Sequence, residues 1–241
     1  MLDKYNKNKV LLIDVGNTNI IINSFRFTTN KSATIDDFAL NLKFATESLE
    51  IKDALISSVV PELNKVISLA IKKYFNINPK FVSGLNLDLA INYANPEEIG
   101  SDRLVNAIAA IQLYDAPCMV VDIGTAATID IINEHKEYIG GVILPGIGMT
   151  INALSALTSK LPKIDFKKPD HLIAGNTKEN IQSGIYYGFL GSIIYFKKQL
   201  GNPRVILTGG YTAIFAEEKA VFEVADQDLT IKGLELIYQN I

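Results

Sequence analysis

One cysteine in 241 residues, Cys118, leaves no possibility of an intrachain disulfide or a Cys-rich zinc site. It lies in the apolar run Cys118-Met-Val-Val121 and reads as a buried strand thiol, not a nucleophile. Only two histidines occur, His135 and His171, both in polar surroundings, so a Ser-His-Asp triad finds no support. No apolar run approaches the ~20 residues of a membrane span. The polar start, residues 1–9, lacks the apolar centre of a signal peptide. A net charge of −3 gives no general attraction to nucleic acid or anionic lipid, so any bound anion must be held by local geometry. Neither Gly-x-x-x-x-Gly-Lys-Ser/Thr nor a Gly-x-Gly-x-x-Gly after a strand is present, which removes the P-loop and dinucleotide readings. The expectation is a cytoplasmic protein with no membrane or nucleic-acid partner.

What is present centres on Asp14-Val-Gly-Asn-Thr-Asn19. A short apolar run delivers Asp14 to a tight turn at Gly16, Asn17 and Thr18, and a second run, Ile20 to Ile22, returns. Such a turn offers backbone N–H groups and a hydroxyl to phosphate, while the carboxylate can hold a metal through water. Near mid-chain the pattern starts again. Cys118-Met-Val-Val-Asp-Ile-Gly-Thr-Ala-Ala-Thr128 repeats strand, Asp, x, Gly, hydroxyl residue and returning strand. Asp14 and Asp122 stand close to half the chain apart, as an internal duplication produces. Two strand-rich α/β halves, 1–114 and 115–241, would then face their turns toward one polyphosphate across a cleft.

The intervening segments read as helices and strands. Thr34-Ile-Asp-Asp37 looks like a capped helix start, and Leu63, Val66, Ile67, Ala70 and Ile71 fall at helical spacing. Gly100-Ser-Asp-Arg103 opens a helix running to Tyr114. Its plain reading is capping by Ser101 or Asp102 with Arg103 on the surface. Its functional reading uses the helix N-terminus to keep Asp102 ionised as a proton acceptor, and the Arg103 fork to bind a carboxylate or phosphate. Gly209-Gly210 after a strand is a simple turn or a place where a flat group such as adenine approaches the backbone. Gly184, Gly188 and Gly191 form a strip along one helix, suited to close packing in the core or at a subunit interface.

Taken together, Asp14-Val-Gly-Asn-Thr-Asn19, Gly100-Ser-Asp-Arg103, Asp122-Ile-Gly-Thr-Ala126, Gly140-Gly-Val-Ile-Leu-Pro-Gly146, Asn176-Thr177 with Gln182-Ser-Gly184, and Thr208-Gly-Gly-Tyr211 resemble, in order, the type III pantothenate kinases. The resemblance spans nearly the whole chain. It implies two duplicated ribonuclease-H-like (actin-like ATPase) domains, a mixed sheet in each with a cleft between. It also implies ATP-dependent phosphorylation of pantothenate, the first step of coenzyme A synthesis. Asp14, Val15, Gly16, Asn17, Thr18, Asn19, Ile20 and Ile21 match the family's first phosphate segment, with Asp14 toward Mg²⁺ and Asn17 and Thr18 toward phosphate oxygens. Asp122 matches a monovalent-cation site for K⁺ or NH₄⁺, and Thr125 an ATP contact. Gly100, Ser101, Asp102 and Arg103 match the pantothenate segment, Asp102 in the catalytic-base position, with Tyr93 and Thr177 as further substrate contacts. The family's habit implies a homodimer with the pantothenate pocket at the interface. Ser101 stands where many members have Ala, and Asn23 where a Gly is common. The alternatives are a kinase of another small hydroxy or carboxylic acid, and a non-catalytic nucleotide-binding regulator.

Overall fold

The structure, a computed structural model, describes residues 9–46, 50–84 and 87–240. The polar opening segment, residues 1–8, lies outside them. The chain divides into two compact units, residues 1–112 with 229–241, and residues 113–228.

The first unit is built on a five-stranded sheet ordered β3-β2-β1-β4-β5, formed by β1 (Val10–Val15), β2 (Asn19–Ile22), β3 (Phe25–Thr28), β4 (Asp53–Ser58) and β5 (Lys80–Phe81). β1, β2 and β3 run antiparallel in sequence, whereas β4 and β5 join parallel to β1. Side chains alternate across the sheet. Leu11, Ile13 and Val15 of β1, with Ala54 and Ile56 of β4, face one core closed by α1 (Ile35–Thr46) and α2 (Pro61–Phe75). Val10, Leu12 and Leu55 face the other, closed by α3 (Ser101–Tyr114) and the last helix, Leu229–Gln239. The sequence division at 114/115 groups that last helix with the second half. In space it packs on β1 and β4 of the first unit. There Thr230 donates to Asn106 at 2.8 Å, and a Cβ at Gly233 would stand 2.5 Å from the Val105 carbonyl, so only glycine permits the approach to α3.

Local signals account for the helix ends. Thr34 and Asp37 form a reciprocal box before α1: the Asp37 N–H donates to the Thr34 hydroxyl at 3.2 Å, and the Thr34 N–H donates to the Asp37 carboxylate at 2.9 Å. α2 begins at Pro61 and stops at Asn76, whose φ of 57° is left-handed.

Asn23 occupies its position for a stated reason. Its φ is 54°, a region that Gly and Asn tolerate best. Its side-chain oxygen accepts the Leu12 N–H at 2.9 Å, and its own N–H donates to the Leu12 carbonyl at 2.8 Å, all in a buried setting. Asn23→Ala therefore strands a buried N–H and adds backbone strain, costing about 2–3 kcal/mol in urea unfolding. Asn23→Gly keeps the backbone relaxed and is expected to cost about 1 kcal/mol less than the alanine variant. Equal losses in the two variants would remove the backbone argument.

The second unit repeats the plan. Its sheet is ordered β10-β9-β6-β7-β8, from β6 (Cys118–Ile123), β7 (Ala126–Ile132), β8 (Tyr138–Pro145), β9 (Arg204–Thr208) and β10 (Val224–Ala225). β6, β7 and β8 are antiparallel neighbours, and β9 lies parallel to β6, as β4 does to β1. β10 begins two residues after Phe222, which is itself a fully buried core residue. Met119, Val121, Ile123, Ala127, Ile129, Val205 and Leu207 face a core closed by α4 (Ile147–Ala156), α5 (Thr177–Gln199) and the short α6 (Thr212–Phe215). Tyr186 stacks on Phe215 at 4.7 Å and donates to Glu218 at 2.6 Å. That bond, with Lys168 at 2.9 Å, holds the Glu218 carboxyl below its ordinary range. Matching sheet order and strand sense make the duplication plain: each half is a ribonuclease-H-like unit with a mixed sheet.

Candidate active site

In both units an aspartate ends the central strand just before a glycine turn. Asp14 is half-buried at the end of β1 and pairs in register with Ser57 of β4, so the two side chains share a sheet face. The turn that follows is closed by the Gly16 N–H donating to the Asn19 carbonyl at 2.9 Å. Thr29 braces it from β3's end, its hydroxyl donating to the Gly16 carbonyl at 2.6 Å and its N–H to the Thr18 carbonyl at 2.9 Å. Asn17 and Thr18 at the tip are exposed.

The start of α3 is fastened to the same sheet end. Ser101 is buried; its hydroxyl accepts the Ser58 N–H at 2.9 Å and lies 3.0 Å from the Ser57 hydroxyl. Ser101 therefore does not cap its helix as expected. It joins α3 to β4, one strand away from Asp14. Asp102 follows at once, with its carboxylate accepting the Arg103 N–H at 2.8 Å and lying over Gly100, where a Cβ would stand 2.6 Å from Oδ1. Arg103 is not a surface residue either, being 9% exposed. A guanidinium taken out of water this far needs fixed partners, unlike a surface arginine. Asp14, Ser101, Asp102 and Arg103 thus gather at one end of the first unit. Tyr93, in the loop before α3, is 40% exposed.

In the second unit Asp122 pairs in register with Thr128 of β7 and Thr208 of β9. The turn after it, Gly124-Thr125, is closed by the Gly124 N–H donating to the Ala126 carbonyl at 3.0 Å, and Thr125 is exposed. Two glycines are required around it. A Cβ at Gly146 would lie 2.1 Å from the Thr125 carbonyl oxygen, and one at Gly209, whose φ is 93°, would lie 2.3 Å from Asp122 Oδ1. Gly209 thus serves a nearer need than the approach of a flat ligand: it makes room for the carboxylate.

Thr177 opens α5 and is exposed, with Asn176 capping that helix by accepting the Glu179 N–H at 3.0 Å. It borders a cavity of about 680 Å³ lined also by Leu144, Leu154, Ile185, Gly184 and Gly188. Beyond the adjoining residues and backbone of their own helix, no atom of the described residues comes within 4 Å of a Cβ placed at Gly184, Gly188 or Gly191. The glycine strip is therefore not a core contact within the described chain.

Cys118 is buried, and burial pushes its thiol up to about 12, which excludes it as a nucleophile. Both histidines are exposed. Among the described residues no group of three or more His, Cys, Asp or Glu is placed to hold a metal ion, and no helix is long and apolar enough to cross a membrane. Sequence reasoning passed over Ser57, Asp130 and Tyr138, and it gave no role of their own to Thr128, Gly146 and Thr208, which stood only within longer motifs. The one available signal was polarity at the end of apolar strands, as in Ala54-Leu-Ile-Ser-Ser58.

The profile of the type III pantothenate kinases matches residues 10–199. Proteins named type III pantothenate kinase from Halalkalibacterium halodurans and Citrifermentans bemidjiense are each 40% identical, over 96% of this chain and 99% of theirs. Among solved structures, one described as a conserved Baf family transcriptional activator from Campylobacter jejuni matches with a TM-score of 0.65 at 23% identity, covering 95% of this chain and 98% of that one. The ethanolamine utilization protein EutJ from Carboxydothermus hydrogenoformans matches at 0.52 and 14%, covering 94% and 89%. Those two bear on the fold alone. Identity sustained across both halves of the duplication, with every segment singled out from Asp14 to Thr177 inside the profile match, means that this chain belongs to the type III pantothenate kinase family.

Proposed function

We propose an in-line mechanism for the activity that family membership carries, the ATP-dependent phosphorylation of pantothenate that begins coenzyme A biosynthesis. ATP is the co-substrate. Phosphoryl transfer asks a protein mainly for alignment and charge neutralisation. In this reading Asp102 accepts the proton of the pantothenate hydroxyl, and Arg103 binds the substrate's carboxylate beside Gly100 and Ser101. Tyr93 and Thr177 complete the acceptor contacts. The segment Asp14 to Ile21 presents turn amides, the Asn17 amide and the Thr18 hydroxyl to phosphate oxygens, and Thr125 adds an ATP contact.

The observation that carries the mechanism is the Ser101 anchor, which fixes the Asp102 helix start on the strand beside Asp14. Two ions fit residues on these turns. Asp14 would hold Mg²⁺ through water, a single carboxylate being the usual protein share when phosphates supply the rest. Asp122, with hydroxyl-bearing Thr128 and Thr208 in register, offers only hard oxygen donors, and the room kept at Gly209 leaves its carboxylate in place for K⁺ or NH₄⁺. When bound, the divalent ion neutralises charge on the transferring group.

The same reading includes a homodimer in the cytoplasm. Exposed Ile143, Leu157, Ile194 and Tyr195, together with the open glycine strip, support an apolar contact on the second unit.

The test is ADP release with Mg²⁺ over a panel of acceptors, with K⁺ and then Na⁺. Turnover is expected with pantothenate and not with sugars, and to fall at least about tenfold when Na⁺ replaces K⁺, the scale of losing one metal contact. Turnover with another acceptor alone would replace the substrate assignment, and indifference to the cation would remove K⁺ from Asp122.

A further inference from the structure

The geometry points to Asp130 as a positioning residue that turns the Thr128 hydroxyl into an oxygen donor for a monovalent cation at Asp122. This rests on the reading of Asp122 as the cation's carboxylate.

Asp130 is fully buried on β7, two residues beyond Thr128, so both side chains project from the same face of the sheet. That face also carries Asp122, because Asp122 and Thr128 are register partners on adjacent antiparallel strands. Partners of this kind hold their Cβ atoms about 4.5–5.5 Å apart. Thr208 is the register partner of Asp122 on its other side. The row Thr208, Asp122, Thr128 therefore runs across three strands, with Asp130 next along β7.

The hydrogen bonds have a fixed sense. The Tyr138 hydroxyl, itself fully buried, donates to Asp130 Oδ1 at 2.7 Å, and the Thr128 hydroxyl donates to Oδ2 at 3.2 Å. An ionised carboxylate only accepts. A threonine hydroxyl has one proton and two lone pairs. With its proton committed to Asp130, Thr128 turns lone pairs, not hydrogen, toward the Asp122 row. A neutral amide at 130 would break this order: its NH₂ would donate to Thr128 and leave the hydroxyl proton aimed at the cation.

The expected size follows from other metal sites, where losing an outer partner of a ligand costs roughly 10- to 100-fold in metal affinity. Cation affinity is read from the rise in melting temperature as KCl replaces LiCl at constant ionic strength, with Mg²⁺ and ADP held constant. Thr128→Val, close in shape, should raise the KCl concentration giving half the rise by at least about tenfold, and Thr128→Ser should restore it. Asp130→Asn should shift the midpoint in the same direction; should it fail to fold, the threonine pair carries the test alone. A purely structural role would lower the melting temperature in LiCl and leave the KCl midpoint where it was. Thr128→Val with the wild-type midpoint overturns the inference while leaving Asp122 its cation. A wild-type protein that ignores KCl altogether overturns the reading of Asp122 as well.

Discussion

Asp102→Asn is expected to lower kcat by roughly 10²- to 10⁴-fold, the usual worth of a general base. The side chain is well placed for a clean substitution. Asp102 Oδ1 accepts the Arg103 N–H at 2.8 Å, and an asparagine oxygen can take the same bond. The space over Gly100 that admits the carboxylate admits an amide of equal size. The helix start is held independently by Ser101 on β4, so its position does not depend on the charge at 102. What is lost is the ability to take a proton when the acceptor hydroxyl attacks. The fall should therefore appear in kcat and kcat/KM together, with KM for pantothenate changing little, because the missing interaction belongs to the transition state. Steady-state ADP release and a thermal melt on the same preparation decide it. Near-wild-type turnover would take Asp102 out of the role, and a collapsed melt would mean that the carboxylate is structural.

Gly209→Ala should produce a large loss of stability in the second unit. The residue has φ 93°, where an L side chain is strained. Its new methyl would lie 2.3 Å from Asp122 Oδ1 and 2.7 Å from both the nitrogen and the oxygen of Ile123. The last two are backbone atoms of the central strand and cannot swing aside. Strain and overpacking together cost about 3 kcal/mol or more, equivalent to a fall of roughly 6–12 °C in a chain of this size. Gly175→Ala is the matched control, since nothing lies within 4 Å of its added carbon. It should melt at or slightly above the wild-type temperature, as alanine reduces the freedom of the unfolded chain. Similar melts for the two variants would mean that the turn after β9 can give way and that Asp122 is not held as described.

Much of this architecture could be read from local pattern. The Asp14 and Asp122 turns announced the duplication because each consists of neighbours in sequence, and Thr34 announced its helix because a capping box closes within one turn. What escaped was everything that depends on residues far apart. Ser101 looked like a cap, yet its hydroxyl serves β4, 43 residues earlier. Arg103 looked like a surface residue because burial of a helix face is decided by what packs on it. The closing helix carried an ordinary amphipathic pattern, which says that one face is covered but not by which strands. Gly209 resembled a common turn glycine, and Gly146 stood only at the end of a longer motif. Only the neighbouring carboxylate and carbonyls show why a methyl is excluded there.

The return of the final helix, Leu229–Gln239, to β1 and β4 makes the first unit discontinuous, its core shared by strands and a helix far apart in the chain. Residues 113–228 form an uninterrupted unit whose core closes on its own residues. The opening sheet, by contrast, has Val10, Leu12 and Leu55 covered in part by Val105 and Ile108 of α3 and completed only by Ile231, Leu234 and Ile237. Removing the final helix would therefore open the first unit's core while leaving the second unit's core closed.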